Sequence, residues 1–287
     1  MSKESNTIRI ALFPNTLKKQ LADTANEIRK FLNQKGIAVY AEEEAAGLIG
    51  AKPLSETDPQ KIDFVISLGG DGTLLRLVHN HPSLTCPMIG INMGSLGFMT
   101  EIPMHDIYPC LENLLAGKYQ VQSRLMMQGE NLNKETCLAV NEIVIHRARN
   151  PCLIDLAIYV DDIYLNTFSA DGIIVSTPSG STAYSLAAGG PILTPELEAF
   201  VLTPICPHTI SNRPIVLMPK KEIRVEYTSA HDPVEIINDG FTVFTMSTGQ
   251  TLRIMPAERR FRLVCLPGHD YFSTLRTKLS WTGKLKI

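Results

Sequence analysis

The first third of the chain alternates short apolar runs with stretches in which apolar residues recur every three or four positions. The apolar runs predict strands at residues 8–13, 37–40, 64–68 and 88–92. The periodic stretches predict helices at residues 17–34, from residue 74 onward, and at 108–116. We expect the acidic, alanine-rich stretch 42–58 to lie on the surface, partly as loop. Strands and helices in this alternation are typical of a parallel sheet covered by helices.

From about residue 119 the pattern changes to short apolar runs separated by turns. These runs predict strands at residues 138–146, 153–160, 172–176, 215–217 and 223–227, and one helix is expected at 181–188. We therefore predict an α/β N-terminal domain with a parallel sheet at residues 1–118 and a β-rich domain at 119–270, α+β overall. The tail, 271–287, has helical spacing and is expected to return to the first domain.

Composition and charge narrow the class of protein. The chain has 287 residues, 44% of them hydrophobic and 20% charged, which is typical of a globular protein. Its 27 basic and 29 acidic side chains give a formal charge of -2, so no general field attracts nucleic acid or an anionic membrane. Neither a signal peptide nor an apolar stretch of about 18 residues is visible. We expect a cytoplasmic protein without nucleic-acid or membrane partners.

The six cysteines are scattered, without a Cys-x-x-Cys pair or zinc-like spacing to histidine. They are typical of small core residues in a reducing compartment, and the sequence defines no set of metal ligands. Cys206 and His208 suggest a thiol and its base, but residues two apart on an extended chain point the same way only roughly. We do not favour catalysis there.

The strongest local signal is the string GGDGT at residues 69–73, between an apolar strand and a helix. Glycines permit close backbone approach, and the N–H groups at a helix start stabilise an anion. A carboxylate in such a phosphate cradle, Asp71, either holds a metal or accepts a proton from an attacking hydroxyl. The alternative is a turn in which Asp71 caps the helix. Arg76, one turn later, either steers a phosphate or lies on a solvated face.

A second signal is the long string DGIIVSTPSGSTAYSLAAGGPIL at residues 171–193. A strand leads into a loop rich in hydroxyls and small residues, a surface that admits a planar ligand closely. Ser179 and Thr182 offer hydroxyls, the backbone near Ala183 offers N–H groups, and Tyr184 offers a ring. A serine-rich helix cap is the structural alternative, but it leaves the middle of the string without a use.

A weaker signal is the pair Asn141 and Glu142, which precedes an apolar strand. Adjacent strand residues face opposite sides of a sheet. Both side chains therefore reach one ligand only if they lie at a bend or at the edge of a cleft.

In combination and in this order, the motifs make the chain resemble bacterial NAD kinases along nearly its whole length. The strings are GGDGT at 69–73, GINMGSLGF at 90–98, NE at 141–142, the long string at 171–193 and TPICPHTISNRPIVL at 203–217. GGDGT alone is shared with lipid kinases and phosphofructokinases, whereas the long string is far more diagnostic. A lipid kinase of the GGDGT superfamily and a non-catalytic dinucleotide sensor are the alternatives.

The resemblance implies transfer of the terminal phosphoryl of ATP to the 2′-hydroxyl of the adenosine ribose of NAD, with Mg²⁺ or another divalent cation accompanying the donor. It implies that Asp71 accepts the hydroxyl proton and that Gly72 lines the pyrophosphate. It also implies a homo-oligomer, a dimer or tetramer, whose sites lie near subunit contacts. From the motifs and the resemblance together, the residues that we expect to bind nucleotide are Asp71, Gly72, Arg76, Asn141, Glu142, Asp171, Ser179, Thr182, Ala183, Tyr184, Ser185, Leu186, Ala187 and Asp239.

Within this set the resemblance implies separate roles. Asn141 and Glu142 would meet the adenine and ribose side, and Asp171 with Ala183 the nicotinamide amide. Residues 182–187 would wrap the dinucleotide, and Asp239 would close the site. Two departures bear on affinity or donor preference: Ser169 stands where relatives often have Arg, and Phe241 where an amide side chain is expected.

Overall fold

The computed structural model describes residues 8–14, 19–94, 96–208, 213–218, 222–281 and 283. The chain divides into two compact units, Met1–Gln122 with Arg262–Ile287, and Ser123–Phe261. The strands of the first part of the chain are β1 (Arg9–Pro14), β2 (Ala38–Ala41), β3 (Lys52–Pro53), β4 (Phe64–Leu68), β5 (Met88–Asn92), β6 (Ile102–Pro103) and β7 (Gln120–Arg124).

Most of the remaining strands build the second unit. They are β8 (Met127–Glu130), β9 (Thr136–Ala139), β10 (Glu142–His146), β11 (Ile154–Val160), β12 (Ile163–Ala170), β13 (Gly172–Ser176), β14 (Phe200–Ile205), β15 (Ile215–Leu217), β16 (Ile223–Tyr227), β17 (Val234–Asn238), β18 (Phe241–Met246), β19 (Thr251–Pro256) and β20 (Phe261–Cys265). The helices are α1 (Lys19–Gln34), α2 (Glu43–Ile49), α3 (Asp71–Asn80), α4 (Ile107–Leu115), α5 (Tyr184–Ala187) and α6 (Tyr271–Lys278).

The sheet of the first unit confirms the predicted α/β class. Its described strands follow the order β3-β2-β1-β4-β5-β20-β7, with β6 beside β5, and the ladders from β3 to β5 are parallel. Strands β4 and β5 are almost wholly apolar because the core covers both faces of the sheet. Since β4 and β5 are parallel neighbours, the loops that follow them leave the same edge of the sheet. Ligands of such sheets bind at this edge.

The described strands of the second unit form two sheets. The described strands have the orders β15-β14-β13-β10-β17-β18 and β12-β11-β16-β19-β8-β9, with antiparallel pairing. One continuous hydrophobic core takes residues from both sheets, so the sheets pack face to face. Strands β10 and β13 also bury their outer face, where Val144 and Ile174 pack with Ile205 and Ala188. The predicted β-rich class is confirmed.

Several predicted elements differ from the observed ones. The stretch expected to be surface and partly loop contains α2, whose Ala45, Ala46 and Ile49 are buried. The strand predicted at 138–146 is two strands, β9 and β10, with a break between them. The helix predicted at 181–188 is a 3₁₀ turn at Ser179–Thr182 followed by the short α5.

Candidate functional site

The GGDGT loop joins β4 to α3 at the carboxyl edge of the first unit's sheet. The helix begins at Asp71, earlier than predicted, so the last three residues of the string form its first turn. The amides of a first turn have no partner within their helix and stabilise negative charge. Gly72 borders open space: a Cβ added at this position would have no neighbour within 4 Å. Arg76 is exposed on the same helix.

The carboxylate of Asp71 is held by a turn that follows β5. Its Oδ1 accepts hydrogen bonds from the N–H of Met99 (3.0 Å), the N–H of Thr100 (3.0 Å) and the hydroxyl of Thr100 (2.9 Å). Its Oδ2 accepts one from the N–H of Phe98 (2.8 Å). A Cβ on Gly97 would lie 2.1 Å from Oδ1, so only glycine permits this approach. The two oxygens of Asp71 therefore have unequal surroundings.

In the second unit, Asn141 and Glu142 lie at a bend between β9 and β10. Asp239, a buried residue in the left-handed region with φ 46°, fixes this bend. Its carboxylate accepts hydrogen bonds from the N–H groups of Val140 (2.8 Å), Asn141 (2.7 Å) and Glu142 (3.1 Å). The structure thus provides the bend that both side chains need to reach one ligand, and it directs Asp239 at the backbone of the pair.

The loop after β13 packs directly on this bend. Thr177 donates its N–H to the carbonyl of Asn141 (2.8 Å) and its hydroxyl to the carbonyl of Val140 (2.6 Å). A Cβ on Gly180 would lie 2.2 Å from the Asn141 carbonyl oxygen, which explains the glycine. The 3₁₀ turn at Ser179–Thr182 is therefore in contact with the Asn141 backbone.

Three buried polar atoms on these segments have no hydrogen-bond partner among the residues that the structure describes: Asn141 Oδ1, Glu142 Oε2 and Ser179 Oγ. A buried polar atom without a partner costs about 1–3 kcal/mol. The pKa of the Glu142 carboxyl is raised to about 8 by burial and by the negative charge of Asp239, whereas the N–H of Tyr184 acts to lower it. Together these groups can accept or donate hydrogen bonds to a polar ligand.

Residues 182–187 lie next to these atoms, and their side chains differ in exposure to solvent. Tyr184 and Ala187 are exposed, and Thr182, Ala183 and Leu186 are half-buried. Ser185 differs from the others: it is fully buried, and its Oγ lies 3.0 Å from Thr203 Oγ1. The hydroxyl of Ser185 therefore faces the protein.

Asp171 lies away from the bend. Glu142 pairs with Ser176 at one end of β13, and Asp171 precedes Gly172 at the other end. The rise of a strand separates Asp171 from Ser176 by about 16 Å. The structure does not bring Asp171 together with Glu142 within one chain. The carboxylate instead lies beside Arg147, whose Nε is 2.7 Å from Asp171 Oδ1.

Arg147 and the turn that holds Asp71 are absent from the residues predicted to bind nucleotide. The sequence indicates a motif at residues 90–98 but no role for it; the buried Asn92 lies inside this motif, and the buried Thr100 lies two residues after it. Arg147 had no sequence signal. At the departure noted in the sequence, the hydroxyl of Ser169 donates to the carboxylate of Asp155.

The described part of the chain contains no group of three or more His, Cys, Asp or Glu side chains able to hold a metal ion. Within the same residues, no helix is long and apolar enough to span a membrane.

Comparison with known sequences identifies two domain families. The ATP-NAD kinase N-terminal domain matches residues 10–119, and the ATP-NAD kinase C-terminal domain matches residues 140–266. A curated NAD kinase from Protochlamydia amoebophila is 60% identical over 278 residues, covering 97% of this chain and 100% of the relative. Another, from Geotalea daltonii, is 40% identical over 281 residues, covering 95% and 98%.

Solved structures give the same picture of the fold. Yeast NADH kinase complexed with NADH matches with a TM-score of 0.87 at 23% identity, covering 99% of this chain and 91% of that chain. An NAD kinase from Archaeoglobus fulgidus in complex with ATP matches with a TM-score of 0.76 at 26% identity, covering 96% and 100%.

Proposed function

The chain belongs to the NAD kinase family and is a phosphotransferase, and we propose that it transfers the terminal phosphoryl of ATP to the 2′-hydroxyl of the adenosine ribose of NAD, giving NADP. The observation that carries this proposal is the group of buried polar atoms on Asn141, Glu142 and Ser179 that find no partner in the described part of the chain. A dinucleotide supplies ribose hydroxyls and base nitrogens that would satisfy them.

Asp71 is the proton acceptor in this proposal. Its Oδ1 already accepts three hydrogen bonds, whereas Oδ2 accepts one and keeps room for a further donor. A 2′-hydroxyl donating to Oδ2 would be aligned for attack on the γ-phosphorus. It would pass its proton to the carboxylate as its bond to phosphorus forms and the bond from the γ-phosphorus to the bridging oxygen of the leaving ADP breaks. The amides at the start of α3, including that of Gly72, stabilise phosphate charge, and Arg76 steers it.

The binding residues of the second unit hold the dinucleotide. Asn141 and Glu142 take the adenine and ribose side, where the raised pKa of Glu142 suits a carboxyl that exchanges hydrogen bonds with hydroxyls. Thr182, Ala183, Tyr184, Leu186 and Ala187 form the surface that wraps the ligand. Ser185 supports that surface through Thr203, and Asp239 supports the bend.

A divalent cation, Mg²⁺, accompanies ATP. The described residues offer no cluster of three or more ligands, which fits a cation held mainly by the donor's phosphates and water. When bound, it neutralises phosphate charge in the transition state. The six free thiols support a reducing, cytoplasmic location.

We propose a homo-oligomer in which Asp171 serves the site of a neighbouring copy. Its position at the far end of β13 from Glu142 supports this arrangement. Exposed apolar side chains on β12 and β15, Ile163, Tyr164 and Val216, supply contact surface.

The test is formation of NADP from NAD and ATP, compared between the wild type and Asp71→Asn. The amide keeps the size of the side chain but removes the proton acceptor, so kcat should fall by about 100-fold or more with little change in NAD binding. Gly70, not Asp71, is the N-cap of α3, and the Asp71 carboxylate instead holds the N–H groups of residues 98–100, so the melting temperature of Asp71→Asn is measured as a check on folding. Near-normal turnover in the folded variant would contradict the role of proton acceptor. Wild-type protein that binds NAD but makes no NADP would be the non-catalytic sensor, and phosphorylation of a lipid instead would indicate the lipid kinase.

A further inference from the structure

A chain of hydrogen bonds leads from the end of β5 to the Asp71 carboxylate. The N–H of Gly94 donates to Asn92 Oδ1 (2.6 Å), Asn92 Nδ2 donates to Thr100 Oγ1 (3.2 Å), and Thr100 Oγ1 lies 2.9 Å from Asp71 Oδ1. Asn92 and Thr100 are both buried, so water does not compete freely for these bonds. The residues of this chain of hydrogen bonds all belong to the first unit.

The direction of this chain is fixed by its chemistry. The Gly94 amide can only donate, so it requires the oxygen of the Asn92 side chain and turns the Asn92 amino group toward Thr100. An amino group can only donate to a hydroxyl, and an ionised carboxylate can only accept from one. The single hydroxyl proton of Thr100 therefore points at Asp71 Oδ1.

We propose that Asn92 and Thr100 are positioning residues for phosphoryl transfer, which fix the rotation of the Asp71 carboxylate so that Oδ2 is presented to the substrate hydroxyl. The proposal rests on the proposed role of Asp71 as proton acceptor. Three donors gather on Oδ1, two of them from Thr100, and they hold one oxygen in place. The less engaged oxygen, Oδ2, is thereby left for the reaction.

A role in packing alone makes a different prediction. Thr100 could fill space with its methyl group and bind Asp71 through its backbone N–H, both of which valine retains. A positioning role requires the hydroxyl, which serine retains and valine lacks. The pair Thr100→Val and Thr100→Ser therefore separates the two roles.

The experiment measures kcat and KM for NAD in both variants, with melting temperature as a check on folding. We expect Thr100→Val to lower kcat about tenfold or more, with KM for NAD within about twofold of wild type, because alignment is lost and binding is not. Thr100→Ser should keep at least about half of the wild-type kcat. Thr274→Val is the control, since Thr274 is also buried in the first unit but lies on α6, outside the chain of hydrogen bonds.

Asn92→Asp is the second variant, and it tests the positioning role even if Thr100→Val does not fold. The new carboxylate can still accept from Gly94 but cannot donate to Thr100, so the hydroxyl proton is drawn away from Asp71 and kcat should fall with KM unchanged. If Asp71→Asn is inactive but a folded Thr100→Val or Asn92→Asp variant has wild-type kcat, the positioning role is overturned. An active Asp71→Asn variant would instead overturn the proposed function on which this role depends.

Discussion

Glu142 is a buried carboxyl whose ionisation is opposed by its surroundings. Its pKa is raised to about 8, first by burial and then by the negative charge of Asp239. The folded protein therefore binds this proton more tightly than the unfolded chain does. Between the ordinary pKa of a glutamate and about 8, the unfolded state loses the proton first, so the contribution of Glu142 to stability falls as pH rises.

We predict that Glu142→Gln removes this pH dependence. Without ligand, the variant should gain stability relative to wild type as pH rises from about 5 to about 9, by an amount on the order of a few kcal/mol. Thermal unfolding of both proteins across this range measures the difference. Parallel curves for the two proteins would contradict the raised pKa.

At the scale of elements, the bend between β9 and β10 depends on a residue from a distant hairpin. Asp239 holds three consecutive N–H groups of the bend with one carboxylate. Asparagine tolerates the left-handed backbone of Asp239 equally well but places an amino group where one of these donors needs an acceptor.

We predict that Asp239→Asn lowers stability by about 1–3 kcal/mol and raises KM for NAD several-fold, because the bend loosens and carries Asn141 and Glu142 with it. Asp162→Asn is the matched control, since Asp162 also has a positive φ but is exposed in a turn of the same unit. Denaturant unfolding and NAD titration of the kinetics measure both effects. Equal behaviour of the two variants would show that the carboxylate of Asp239 does not hold the bend.

The sequence predicted most accurately those strands that are buried on both faces, because such a strand appears as one short apolar run. The predicted ranges of β4, β5 and β13 match the observed ones, because each is a short apolar run. The sequence did not predict α2, because the alanines that follow its glutamates form only a weak apolar stripe on the helix. The run at 138–146 hides the break before Glu142, which is made by the distant Asp239.

The parts of the site that could be predicted are those whose residues lie together in one continuous sequence motif. The Asp71 loop follows from glycines between a strand and a helix, but the turn that grips its carboxylate comes 26 or more residues later, counting from Asp71 to Gly97. Periodicity carries no information on such a contact. The ion pair between Arg147 and Asp171 also depends on the pairing of β10 with β13, which no local pattern specifies.

At the scale of the whole molecule, the strands β12 and β15 end their sheets in the described part of the chain. Edge strands with exposed apolar side chains favour association with another chain. If Asp171 completes a neighbour's site, two variants that are each defective can restore one another in a mixed assembly.

We predict this restoration for Asp71→Asn co-expressed with Asp171→Ala under two different affinity tags. A mixed dimer contains one site with both substitutions and one with neither, so at low NAD its activity should reach about half that of wild type. The measurement is NADP formation by protein retained on both tags, compared with each variant alone. Activity no greater than that of the separate variants would assign Asp171 to the site of its own chain.

The sheet that carries Asp71 takes one of its inner strands from the chain that follows the second unit, since β20 lies between β5 and β7. During synthesis on the ribosome, the strands of the second unit all emerge before β20 does. The nascent chain therefore holds an unfinished sheet next to the GGDGT loop until β20 is released. A product truncated before β20 would lack an inner strand, so assembly of this sheet requires translation to continue past the whole of the second unit.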